Sequence, residues 1–242
     1  MSLAEFGIFP AGIPANPIPF SFHVPDSDLD RLHSLVKGAQ VAVPSWYNVH
    51  ANAANGTFGI SRNWLEAAQD AWVADDQFSW RAHEEHFNRF PSFKVNVTTP
   101  SDGQLFELHF AALLSKKQSA VPITFLHGWP GSWLEFVPML DLLVSKYTPE
   151  TLPYHIVVPS IPDYGLSIRP NEDRELTMEA AAEAMNELMV ALGFDAYVAQ
   201  GGDVGSFLAQ TMCGVYNECK AFHRKFYHDP RSLLVLPMLD KP

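Results

Sequence analysis

Gly201-Gly202-Asp203-Val204-Gly205-Ser206 decides how the rest of the chain is read, because it sets one carboxylate among glycines between a strand-like and a helix-like run. Tyr197 to Gln200 reads as a short buried strand, and Phe207, Leu208 and Met212 continue at helical spacing, so Asp203 falls on the turn between them. Two readings fit. In a nucleophile elbow the reactive side chain rides on strained backbone at the end of a strand, with small neighbours because strand and helix nearly touch. Gly201 and Gly205 supply that room, and Gly202 completes the motif. In a helix N-cap the carboxylate instead accepts a backbone N–H near Gly205 or Ser206. The hexapeptide alone leaves both open.

Working outward, the 242 residues are 47% hydrophobic and 12% aromatic, enough to bury the core of one large domain. A formal charge of -11 disfavours nucleic acid and anionic membranes, since it repels phosphate rather than releasing counterions from it. A small uncharged ligand fits better. No stretch approaches the roughly 18 apolar residues of a membrane span. The first twenty residues lack a basic start and are broken by Pro10, Pro14, Pro17 and Pro19, so they read as an extended arm rather than a signal peptide. Cys213 and Cys219 lie six apart with no other cysteine, so neither a disulfide framework nor a zinc site is readable, and a soluble protein in the reducing cytoplasm is expected. No cofactor motif is read.

Asp26 or Ser27 is expected to cap a first helix carrying Leu29, Leu32, Leu35 and Val36, ended by Gly38. After an aromatic, turn-rich stretch with Trp46, Tyr47 and Phe58, Ser61 caps a second helix bearing Trp64, Leu65, Ala68 and Trp72 on one face, and Ser79 starts a third that ends before Pro91. By burial preference these aromatics are expected to be core or packing residues rather than a ligand cage. His83-Glu84-Glu85-His86 spaces its histidines three apart, not four as in the metalloprotease pattern, so a solvated helix face is expected and no metal.

After Pro91 the period changes to two. Phe93, Val95 and Val97 alternate with polar residues, Asp102-Gly103 turns, and Leu105 to Leu114 returns as the second arm of a hairpin. Strand-like Ile123 to Leu126, helix-like Leu134 to Val144, strand-like His155 to Val158, helix-like Met178 to Leu192 and strand-like Ala196 to Ala199 then alternate, which predicts an α/β fold with a parallel sheet covered by helices. Ligands of such sheets bind beyond the carboxyl ends of the strands. Two loops qualify: the turn at Asp203, and His127-Gly128-Trp129-Pro130-Gly131-Ser132-Trp133, whose small residues and Pro130 could turn N–H groups toward a point in front of Asp203. Alone, the latter is an ordinary Pro-Gly turn.

Together, a His-Gly-x-Pro loop about seventy residues before a small-x-Asp-x-small turn resembles the epoxide hydrolases of the α/β-hydrolase fold. Leu126 to Phe136 and Gln200 to Phe207 are similar to the fungal and microsomal branch, as are Phe58-Gly59-Ile60-Ser61 and Trp64-Leu65; the likeness covers roughly residues 17 to 221. It implies an N-terminal arm and helical meander over 1–92, a partial hydrolase core over 93–221 with about six of eight strands, and a divergent tail over 222–242. It also implies Asp203 as nucleophile, the N–H groups of Trp129 and Val204 as oxyanion hole, His127, Gly128 and Pro130 as loop-fixing residues, and a small apolar epoxide as substrate. Pro159 to Ser167 departs from the family's usual Pro-Gly by having Asp163, which tolerates positive φ better than most residues.

Only 39 residues follow Asp203, too few for the family's cap tyrosines and its acid and base, so a truncated form with little or no turnover is expected. His223, His228 and Asp229 are the only nearby downstream candidates, and a base must be held by packed structure. Two other readings remain: a non-catalytic partner, as a homo-dimer or paired with a full-length homologue, and an Asp-nucleophile dehalogenase.

Overall fold

A computed structural model describes residues 3–50, 59–74, 77–170, 173–225 and 236–237. Phe58, His228, Asp229 and most of the tail proposed to run from 222 lie outside these residues. The chain divides into two compact units, one of Phe22–His86 and one of Met1–Ser21 with Phe87–Pro242.

The smaller unit is helical: α1 (Asp26–Gly38), α2 (Trp46–Val49), α3 (Arg62–Val73) and most of α4 (Trp80–Phe87). Ser61 caps α3 by accepting the Trp64 N–H at 3.2 Å, as the sequence indicates, and Ser79 accepts the Ala82 N–H at the start of α4. The start of α1 differs. Pro25 stands at the N-cap with no side-chain cap, and Asp26, already helical, is held from the side by an ion pair with Arg81. The aromatics are packing residues but not core: Trp46, Tyr47, Trp64 and Trp72 stay 52–61% exposed. So small a helical unit offers little interior, and neither α1 nor α3 buries any residue fully. Its rings pack on one another instead, Trp72 stacking on Phe78 at 5.3 Å and Trp46 on His50. Glu84 is not on a solvated face either. It is 6% exposed, accepting the Val24 N–H at 2.7 Å and bonds from Arg81, Trp80 and His23, because four donors replace the water it gives up.

The larger unit holds a mixed sheet. Its described strands are β1 (Ile18–Pro19), β2 (Ser92–Thr98), β3 (Leu105–Leu113), β4 (Val121–Leu126), β5 (Tyr154–Pro159), β6 (Tyr197–Gly202), β7 (Cys219–Lys225) and β8 (Leu236–Pro237), in the order β1-β2-β3-β5-β4-β6-β7-β8. The period-two stretch forms the β2–β3 hairpin, with Val95 opposite Leu108 and Val97 opposite Phe106. The alternating stretch forms the parallel core β5-β4-β6-β7. Both faces are covered. α6 (Met178–Ala191) and α7 (Val204–Val215) bury Met185, Leu188, Leu208 and Met212 on one, while α5 (Val137–Lys146) buries Val137 and Leu140 with Phe6 and Trp133 on the other. The expected helix from Leu134 is split into a 3-10 turn, Trp133–Phe136, and α5, because Pro138 in the first turn of α5 has no N–H to continue an earlier one.

The arm belongs with this sheet rather than with the helices. Phe6 is buried and its carbonyl accepts the Leu114 N–H at 2.7 Å, and β1 pairs with β2. Past Ala221, strand β7 continues to Lys225. Cys213, near the end of α7, and Cys219, at the start of β7, form a disulfide with Cα atoms 4.7 Å apart, a correction to the sequence reading: the reversal from helix to strand brings together residues whose spacing gave no sign of it. No helix among the described residues is long and apolar enough to cross a membrane.

Candidate active site

β6 delivers Asp203 to the carboxyl end of the parallel core, beside the loop that follows β4, its neighbour in the sheet. The turn is sharp: Asp203 has φ 48° and ψ -121°, a backbone state that costs a residue other than glycine about 1–3 kcal/mol. That cost requires compensation from the surroundings, and the packing on either side provides it. A Cβ on Gly205 would lie under 3.0 Å from the Leu126 and His127 carbonyl oxygens, and one on Gly201 would strike the Gly205 carbonyl. Only bare backbone lets strand, helix and loop approach so closely. Gly202, by contrast, has open space where a side chain would be.

Asp203 occupies the N-cap position of α7, yet its side chain makes no cap hydrogen bond. The exposed carboxylate turns to the other loop, where its Oδ2 accepts the Trp129 N–H at 2.8 Å. The N–H of Trp129, and then that of Val204, hold the carboxyl below the usual aspartate range, so it is ionised at neutral pH. Of the two N–H groups expected to face one point, that of Trp129 hydrogen-bonds this side chain. Gly128 makes the approach possible, since a Cβ there would lie 2.5 Å from the Asp203 Cβ and 2.9 Å from Oδ2. The Trp129–Pro130 peptide is cis, and the Trp129 indole is 69% exposed.

His127 is fully buried beneath this loop. Its Nδ1 donates to the Gly128 carbonyl at 3.1 Å and its Nε2 accepts the Ile161 N–H at 3.0 Å. Burial lowers its pKa, keeping the ring neutral, and with both nitrogens engaged it fastens the loop rather than serving as a base. Tyr164 packs edge-on against the ring, with centroids 5.5 Å apart. His223 lies on β7 in register with Gln200, three residues before Asp203, or about 10 Å along the strand direction. Asp163 does take positive φ, 64°, and Arg169 binds it through Nε at 2.8 Å and Nη2 at 2.5 Å. No cluster of side chains suited to a metal ion occurs among the described residues.

Sequence reasoning missed the parts contributed by the loop after β5. These include Ile161, Tyr164 and Arg169, together with a buried pair in which His109 Nδ1 meets Ser160 Oγ at 3.0 Å. Burial drives the pKa of His109 down to about 3. Asp163 in place of glycine was the one available signal.

A strained aspartate between a strand and a helix, with the N–H of a preceding strand's loop on its carboxylate, thus stands at the carboxyl end of a parallel α/β sheet. Residues 121–223 match the model of the alpha/beta hydrolase fold, and residues 17–136 match that of the epoxide hydrolase N terminus. A Dothistroma septosporum protein named "Putative epoxide hydrolase" is 42% identical over 88% of this chain and 50% of its own length. The solved structure of Aspergillus niger epoxide hydrolase is 40% identical, with a TM-score of 0.81 over 91% of this chain and 55% of that one. The juvenile hormone epoxide hydrolase of the silkworm Bombyx mori shares the fold, with a TM-score of 0.71 at 24% identity over 93% of this chain and 58% of that one. The chain belongs to the epoxide hydrolase family. It spans about half the length of the curated relatives it matches first.

Proposed function

We propose that the Asp203 carboxylate opens small apolar epoxides. A carboxylate oxygen attacks an epoxide carbon, the C–O bond breaks, and the freed oxygen takes a proton from the medium, leaving a hydroxyalkyl ester on Asp203. Water then adds to the ester carbonyl carbon and gives up a proton to the medium; the negative charge that develops on the carbonyl oxygen is met by the Trp129 and Val204 N–H groups, and collapse restores the carboxylate and expels the alkyl oxygen, which takes up water's other proton and leaves as part of a vicinal diol. One observation carries this reading: an exposed, ionised carboxylate in a strained turn, already accepting the N–H that the second step requires. His127 cannot activate the water while both of its nitrogens are bonded, so the ester is expected to outlive its formation in the 242-residue polypeptide.

The test is to treat the polypeptide with styrene oxide and map the mass increase. The reading requires one adduct on the peptide containing Asp203, absent in Asp203→Asn and removed by hydroxide in H₂¹⁸O with label entering Asp203. No adduct at Asp203 overturns it. A chain that instead co-elutes with a full-length homologue and never labels acts as a partner, and halide release from a haloalkane identifies a dehalogenase.

A further inference from the structure

We propose that Arg169 is a positioning residue for the Asp203 site: it clamps Asp163 in a left-handed turn, so that the loop after β5 holds His127 and, through it, the Trp129 N–H. The inference rests on the reading of Asp203 as nucleophile. Asp163, at φ 64°, occupies a region that glycine enters freely and other L residues enter at a cost. What holds it there is a guanidinium only 11% exposed, which donates to Asp163 Oδ2 from Nε and Nη2 and to the Arg174 carbonyl from Nη1 at 2.9 Å. Arg169 is itself anchored. The preceding residue, Ile168, is joined to Glu107 of β3 by reciprocal backbone bonds of 2.9 and 3.0 Å.

From the clamped residue, contacts lead to the nucleophile. Tyr164, next in sequence, donates its N–H to the Ile161 carbonyl at 2.9 Å and lays its ring against His127. The Ile161 N–H satisfies His127 Nε2, which fixes the tautomer in which Nδ1–H donates to the Gly128 carbonyl. The next peptide N–H along the chain is the Trp129 donor to Asp203. If the turn at Asp163 relaxes, Ile161 leaves the ring, the ring can rotate, and that donor loses its placement.

The experiment compares the 242-residue polypeptide with Arg169→Met, Asp163→Gly and the double variant. Two quantities are followed: the rate of ester formation with styrene oxide by intact mass, and the His127 ring by NMR of ¹⁵N-histidine-labelled protein. Arg169→Met is expected to slow alkylation about ten- to a hundredfold, the share one charge-assisted bond commands. Its His127 should lose the fixed Nδ1–H tautomer. Asp163→Gly alone should alkylate within about twofold of wild type, because glycine holds the turn unaided. Adding Asp163→Gly to Arg169→Met should restore both quantities, which a merely stabilising ion pair would not do. An Arg169→Met chain that alkylates at the wild-type rate, or a double variant as slow as the single, overturns the proposal. If the wild type never labels, the Asp203 reading fails instead. The His127 signal then decides the clamp, an unchanged tautomer in Arg169→Met overturning it.

Discussion

Gly205→Ala sets two effects of opposite sign against each other. Gly205 lies in the first turn of α7, and alanine in place of glycine within a helix is ordinarily favoured by about 1 kcal/mol. Here the new methyl would stand 2.6 Å from the His127 carbonyl oxygen and closer still to that of Leu126, both main-chain atoms that no rotamer change can move aside. Reaching an ordinary contact of about 3.5 Å from the 2.2 Å to the Leu126 oxygen requires helix and strand end to part by more than 1 Å. Overpacking of that kind costs about 1–3 kcal/mol, and more where the obstruction is backbone on two sides, so a net loss of about 2 kcal/mol is expected. In a protein of this size that lowers the melting temperature by about 4–8 °C. Gly214→Ala, near the other end of the same helix with nothing within 4 Å of the added methyl, isolates the propensity gain and should melt at or slightly above wild type. Thermal unfolding followed by circular dichroism distinguishes the two. A Gly205→Ala chain as stable as Gly214→Ala would show that the close approach is not what demands glycine.

Three further outcomes follow from the same geometry. Because the Trp129 and Val204 N–H groups depress the Asp203 pKa, its reactivity should persist as pH falls through about 3.9, where an unperturbed aspartate is half protonated; an alkylation rate at pH 4 that is half the pH 7 value refutes this. Glu84 is held down to about 2, first by the Val24 N–H and then by His23, Arg81 and Trp80. A depressed carboxyl stabilises above its unfolded pKa of about 4.3 and loses that contribution as pH falls toward its folded value. Tryptophan fluorescence should therefore show the helices of 22–86 loosening between pH 4 and 2, starting from a weaker unit with a flatter profile in Glu84→Gln. Tyr197→Phe removes the hydroxyl that donates to Asn186 Oδ1 at 2.7 Å in the buried face under α6, leaving that acceptor unpaired. The expected loss of about 1–2 kcal/mol would appear as a lower urea midpoint at unchanged slope, and an unchanged midpoint would mean water replaces the bond.

What the sequence made legible was local. Phe93, Val95 and Val97 announce a strand with one buried face, and Asp203 announces a turn, because each is set by neighbours within a few residues. What it hid depends on partners far along the chain. Periodicity says nothing of strand order, so the placing of β5 between β3 and β4 could not be read. Glu84 looks like any charged helix residue until Val24, sixty positions earlier, is brought against it. Trp46, Trp64 and Trp72 show the converse, since burial preference describes a large interior and fails where the helices that carry such rings have little interior to offer. At the candidate site Asp203 and the loop that carries the Trp129 N–H were visible as motifs. The parts that steady them were not, because Ile161, Tyr164 and Arg169 act through one N–H, one ring and one fork with no motif among them.

The pairing of the arm with the sheet gives the helical unit a different standing in the chain. Phe20 donates its N–H to the Ser92 carbonyl at 2.8 Å, so the backbone leaves the sheet and, some seventy residues later, re-enters it within a single hydrogen bond of the same place. In topology, 22–86 is an insertion into a hairpin rather than a leading domain. Excising it in favour of a short turn should leave the β1–β2 contact intact, and a circular permutant opened inside it should keep the sheet whole. In folding, the β1–β2 contact closes a loop of that length and bears its entropy, unless the helices have already condensed and drawn the two ends together.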